Sequence, residues 1–108
     1  MTRGDLVTLA INGDYGKPRP ALIIQSDEYA DLDSVTVLRL TSDVDDQHML
    51  RVTVVPSAEN GLKLRSQIMI DKAATTLRER IGRIIGRLEA NAMRDVDQRL
   101  ARFLGLIA

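Results

Sequence analysis

Before residue 91 the chain reads as short blocks in which apolar positions either run together or alternate with polar ones. Beyond it the period changes. Leu6-Val7-Thr8-Leu9-Ala10-Ile11 and Ala21-Leu22-Ile23-Ile24 are apolar at nearly every position, the pattern of strands covered on both faces. Val35-Thr36-Val37-Leu38-Arg39-Leu40-Thr41 and Arg51-Val52-Thr53-Val54-Val55 are β-branched and alternating, which predicts two more strands, the second stopped by Pro56. Ser66 to Asp71 reads as a strand, and so does the second half of Ile81 to Leu88. Between them Leu77-Arg78-Glu79-Arg80 suits a short helical turn. Asn12-Gly13-Asp14 and Asn60-Gly61 are turn signals. From Asn91, an available N-cap, Met93, Val96, Leu100, Phe103, Leu104 and Ile107 recur at the spacing of one helical face. The pattern predicts a single α+β domain over residues 1–108. About six short strands would form a compact, barrel-like sheet covered by one C-terminal helix.

Composition narrows the chemistry. The chain has no cysteine and one histidine, His48, which excludes disulfide scaffolds, Cys-based zinc sites and a two-histidine acid–base pair. No apolar run approaches the ~18 residues of a membrane span, and the N-terminus has no signal-peptide pattern, so a cytoplasmic protein is expected. Formal net charge is zero, which argues against a generic nucleic-acid coat. The charges are segregated, however. Asp27, Glu28, Asp31, Asp33, Asp43, Asp45 and Asp46 face one base, Arg39, between residues 26 and 46. Lys63, Arg65, Lys72, Arg78, Arg80, Arg83 and Arg87 face Asp71 and Glu79 between residues 63 and 87. Either the second segment builds one basic surface, or both are ordinary solvated faces.

The stretch Gly16-Lys17-Pro18-Arg19-Pro20-Ala21-Leu22-Ile23-Ile24-Gln25 organises the rest. Proline fixes its own φ and holds the preceding residue extended, so Lys17 and Arg19 enter the apolar run on a stiff backbone. Arg19 would then be a planar, permanently charged fork at the mouth of the sheet, suited to phosphate or carboxylate. The alternative is a strand start whose Arg only faces solvent.

Taken in order, Arg3-Gly4-Asp5, Arg19-Pro20-Ala21-Leu22-Ile23-Ile24, Leu40-Thr41-Ser42, Ser66-Gln67-Ile68-Met69-Ile70-Asp71 and Gly86-Arg87-Leu88 resemble the MazF/PemK toxin family over essentially the whole chain. The resemblance implies the small SH3-like antiparallel β-barrel of six to seven strands with a C-terminal helix, the CcdB-MazF type. It also implies a homodimeric, metal-independent endoribonuclease, the toxin of a type II toxin–antitoxin pair. Single-stranded RNA would be its substrate, cut by attack of a 2′-hydroxyl on the adjacent phosphate to leave a 2′,3′-cyclic phosphate and a 5′-hydroxyl. A cognate antitoxin would cover the same groove, and no cofactor or metal is expected. Arg19 and Thr41 match the family's catalytic positions, and both suit the negative charge of a pentacoordinate phosphorane. Lys17, Ser42, Ser66, Gln67 and Asp71 are expected RNA contacts. Asp71 aligns with an acid that some members use in catalysis, but the Arg those members pair with it is Met69 here. The loop ahead of Arg19 is shorter than in many members. Tyr15 could stack on a base or pack on its own domain. Lys72 and Arg65 could contact phosphates or stay solvated, and His48 could serve proton transfer or lie in a solvated loop. A CcdB-like topoisomerase poison that acts by binding, and a catalytically inactive binding module, share the expected fold. The pairing of Arg19-Pro20 with Thr41-Ser42 favours the nuclease.

Overall fold

The computed structural model describes residues 1–10 and 17–108. The Asn12-Gly13-Asp14 turn, Ile11 and Tyr15 lie outside the described residues. Six strands, β1 (Asp5–Leu9), β2 (Arg19–Ile23), β3 (Ser34–Thr41), β4 (Arg51–Val54), β5 (Ser66–Leu77) and β6 (Ile81–Arg87), form one antiparallel sheet in the order β4-β5-β3-β2-β1-β6. One α-helix, α1 (Ala90–Phe103), follows. Among the described residues no helix is long and apolar enough to cross a membrane.

The apolar blocks explain the layering. Leu6, Leu22 and Leu38 stand opposite one another across β1, β2 and β3. With Leu40, Val52, Val54, Ile68 and Ile70 they form the main core, capped by Val96 and Leu100 of α1. The intervening residues Val7, Leu9, Ala21, Ile23, Val35 and Val37 form a second buried cluster, with Ile81 packed against it. The second apolar face of these strands is therefore covered within one chain and does not by itself call for a second copy.

Several boundaries move. β5 runs on to Leu77 because Val35, Thr36, Val37 and Leu38 supply ladder partners for residues 73–76, a tertiary pairing that the Ala-Ala-Thr-Thr stretch does not announce by pattern. The expected turn is a single 3-10 turn at Arg78–Arg80, and all of Ile81–Arg87 is strand. The helix begins one residue earlier than Asn91. The extended backbone of Glu89 makes it the cap position, and its carbonyl accepts the Met93 N–H at 2.9 Å. Asn91 sits in the first turn, with its side-chain oxygen accepting the Ala92 N–H at 2.9 Å. Of the predicted helical stripe, Val96 and Leu100 are buried, whereas Phe103, Leu104 and Ile107 are exposed together with Leu106.

β4 and β6 are the two edges of the sheet and do not pair with each other. The connection from β4 to β5 bridges the gap instead. The Arg87 N–H of β6 donates to the Glu59 carbonyl at 2.8 Å. Gly61 has φ +69°, and a Cβ there would lie 1.9 Å from the Ile85 carbonyl oxygen, so only glycine fits this approach. The sheet is barrel-like in shape, closed at its seam by a connection rather than by a strand.

Candidate active site

The antiparallel register that sets Ala21 opposite Arg39 brings the start of β2 and the end of β3 to the same end of the sheet. Arg19, the first residue of β2, and Thr41, the last of β3, both line a cleft of about 690 Å³ there. Its volume is that of a small-molecule or nucleotide site. The wall from β5 and the bridging connection carries Gly61, Leu62, Lys63, Leu64, Ser66 and Met69, and β1 and β6 add Thr8, Arg83 and Ile85.

Four cations, Arg19, Arg39, Lys63 and Arg83, line this cleft against one carboxylate, Asp43. None of the four makes an ion pair among the described residues. The other bases of the 63–87 segment are engaged. Arg65 pairs with Asp46 at 3.3 Å, Lys72 with Asp71 at 3.3 Å and Arg87 with Asp5 at 2.9 Å, while Arg78 donates to the Leu32 and Tyr29 carbonyls. Only Lys63 and Arg83 of the basic segment reach the cleft, where Arg19 and Arg39 from β2 and β3 join them. Unpaired cations along a concave wall attract an anionic ligand more strongly than the net charge suggests.

The Thr41 hydroxyl oxygen accepts the Asp43 N–H at 3.0 Å. This bond closes the turn after β3 and leaves the hydroxyl proton free to donate into the cleft. Ser42 lines the cleft and is exposed. Ser66 lines it too but is buried, its hydroxyl donating to the Leu64 carbonyl at 2.9 Å. Lys17 is exposed at the entry to β2 and is not part of the lining. Gln67 is 1% exposed, and its carboxamide is spent on the connection after β3 and on β4: Oε1 accepts the Asp45 N–H at 2.9 Å, and Nε2 donates to Thr53 Oγ1 at 3.1 Å. Asp71 lies off the cleft in its pair with Lys72, and Met69 occupies the wall. His48 is also off the cleft, its Nδ1 accepting the Leu50 N–H at 3.1 Å. Arg39, Lys63 and Arg83 are the cleft cations that the motifs did not single out. The charge segregation held them without distinguishing them from their paired neighbours. Among the described residues no group of three or more His, Asp or Glu could hold a metal ion.

The cleft wall at 61–64 is fixed from behind. Asn60 is fully buried; its side-chain oxygen accepts the Ser57 and Leu62 N–H groups at 3.0 Å each, and its nitrogen donates to the Val55 carbonyl at 2.9 Å and to the Glu89 carboxylate at 3.1 and 3.2 Å. The Ser57 hydroxyl donates to the same carboxylate at 2.9 Å. Burial pulls the Glu89 carboxyl up. The hydrogen bonds from Asn60, a backbone group and Ser57 outweigh it and hold the carboxyl below its ordinary value.

Residues 2–104 match the family model described as the PemK-like, MazF-like toxin of type II toxin–antitoxin systems. A probable endoribonuclease MazF of Mycolicibacterium smegmatis is 42% identical over 107 residues, 98% of each chain. The solved Mycobacterium tuberculosis toxin MazF-mt6 superposes with a TM-score of 0.80 at 26% identity, covering 96% of this chain and 99% of that one. A mycobacterial endoribonuclease solved with its cognate antitoxin shares the fold, with a TM-score of 0.84 at 21% identity over 100% of this chain and 98% of that one.

Proposed function

Because the chain belongs to the PemK-like, MazF-like toxins of type II toxin–antitoxin systems and is a MazF-like endoribonuclease toxin, we propose that it cuts single-stranded RNA in the 690 Å³ cleft, with Arg19 and Thr41 as its catalytic residues. The observation that carries this reading is the convergence of four cations, unpaired among the described residues, on the wall that also holds the Thr41 hydroxyl. In the proposed reaction the 2′-hydroxyl oxygen attacks the adjacent phosphorus as its proton passes to solvent, the P–O5′ bond breaks, and the leaving 5′-oxygen takes up a proton from solvent. The products are a 2′,3′-cyclic phosphate and a 5′-hydroxyl. Negative charge grows on the non-bridging oxygens of the phosphorane. The Arg19 fork supplies two N–H donors there and the Thr41 hydroxyl a third, fixed in direction by its bond to the Asp43 N–H. A guanidinium with pKa above ~12 is a poor base near neutral pH, so Arg19 acts through charge and not through proton abstraction. Cleavage is proposed to need no metal.

Ser42 and Lys17 are proposed as RNA contacts at the rim of the cleft, and Ser66 as an acceptor from its floor. A cognate antitoxin is the proposed protein partner, competing for the same cleft, and the proposed site of action is the cytoplasm. The active form is proposed to be a homodimer. Support comes from the apolar side chains Phe103, Leu104, Leu106 and Ile107, left exposed at the end of the chain.

The test is cleavage of mixed-sequence RNA in excess EDTA, repeated with 2′-deoxyribose at the mapped cut. Arg19→Ala and Thr41→Val should each lower kcat about 10²–10³-fold. Persistence of cleavage on the 2′-deoxy substrate, or full activity in Arg19→Ala, refutes the mechanism.

A further inference from the structure

We propose that Arg83 is a second phosphate-binding residue of the cleft, aimed into it by a β-bulge that Thr8 and Gly82 specify; this rests on the endoribonuclease reading. β1 and β6 pair Val7 with Ile84 and Leu9 with Ile81, so the single residue Thr8 stands opposite both Gly82 and Arg83. One extra residue on β6 is a bulge, and a bulge re-aims the side chains beyond it. Its effect is visible in the packing. Ile81 packs on the second cluster of the sheet, and in a regular strand Arg83, two residues on, would share that face. Arg83 instead lines the cleft together with Ile85, which packs against the main core on the opposite face.

Two side-chain facts hold the bulge in place. The Thr8 hydroxyl oxygen accepts the Arg83 N–H at 3.0 Å, replacing a ladder bond. A Cβ at Gly82 would lie 2.3 Å from that same oxygen, so the arrangement requires glycine there. The Arg83 guanidinium has no acidic partner among the described residues and is exposed to the cleft. β1 separates β2 from β6 in the sheet, which sets the strands of Arg19 and Arg83 about 10 Å apart. Arg83 therefore meets a phosphate neighbouring the one held by Arg19. Its contact is made equally before and during the reaction, which strengthens binding without changing the chemical step.

The experiment compares wild type, Arg83→Gln and Arg83→Lys on two probes. On cleavable RNA, Arg83→Gln should raise KM about tenfold with kcat nearly unchanged, and Arg83→Lys should recover most of that loss. On labelled mixed-sequence RNA with every 2′-hydroxyl methylated, which cannot be cut, Arg83→Gln should lower the slope of log affinity against log salt by about 0.7. Thermal melts confirm that each variant folds. An unchanged KM and salt slope overturn the proposal, as does a fall in kcat alone. Wild type that binds the methylated RNA but cuts no RNA overturns the nuclease reading, while the salt slope still judges Arg83. Wild type that fails to bind it overturns the assignment of Arg83.

Discussion

Asn60→Ala should be among the most damaging single changes available, although Asn60 is fully buried and does not line the cleft. The truncation removes the acceptor for the Leu62 N–H, which lies in the buried interior, and that orphaned donor costs about 1–3 kcal/mol. It also frees the Ser57 N–H, the Val55 carbonyl and the Glu89 carboxylate, each partly wet and each worth about 0.5–1.5 kcal/mol. These groups share one side chain, so the losses do not simply add, and a total of about 3–4 kcal/mol is expected. At roughly 4 °C per kcal/mol for a domain of this size, the melting temperature should fall by about 12–16 °C. Asn60→Asp sharpens the test. It keeps the acceptor for Ser57 and Leu62 but turns the donor facing Glu89 into a second carboxylate. Its penalty relative to wild type should be large at neutral pH and shrink as the pH falls and the new carboxyl takes up a proton. Circular-dichroism melts of both variants from pH 7 to pH 4 measure this. A drop under about 4 °C for Asn60→Ala, or a pH-independent penalty for Asn60→Asp, refutes the role of the network.

Two further outcomes follow from other groups. The Glu89 carboxyl is held below its usual 4.5, so its contribution to stability is present above that value and is lost as the pH falls through the folded-state value. Urea melts of wild type should show this acid-side decline and those of Glu89→Gln should show less of it; parallel curves exclude the linkage. Gln67→Ala should destabilise by about 2 kcal/mol and speed proteolysis of the connection between β3 and β4, while the folded variant still cuts RNA. Loss of cleavage by the folded variant would place Gln67 at the substrate instead.

The local pattern was sufficient wherever a residue's fate depended on its neighbours in sequence. Ala21, Leu22 and Ile23 are apolar in succession and are buried in succession. Val96 and Leu100 follow the helical period into the core. The position of Arg19 was legible because two prolines fix the start of its strand, whereas Thr41 was reached through the family resemblance; both line the cleft. What escaped depends on register. Arg83 reaches the cleft only through a bulge against Thr8, and no periodicity marks where a strand gains a residue. Arg65 and Lys72 look like Lys63 in sequence, and the fold gives the first two a carboxylate while leaving Lys63 on the cleft. Gln67 sits beside Ser66 in a family-like motif, yet strand alternation turns it toward the connection it holds.

The seam between β4 and β6 has a consequence for how recognition can diverge. Asn60, Gly61 and Leu62 anchor the bridging segment, through hydrogen bonds, close backbone approach and core packing respectively. Lys63 and Leu64, next in the chain, face the cleft and carry none of those duties. Substitution of these two side chains can therefore change what the cleft wall presents without disturbing the anchor before them. Such a wall separates the part of the cleft that is fixed by packing from the part that is free to vary.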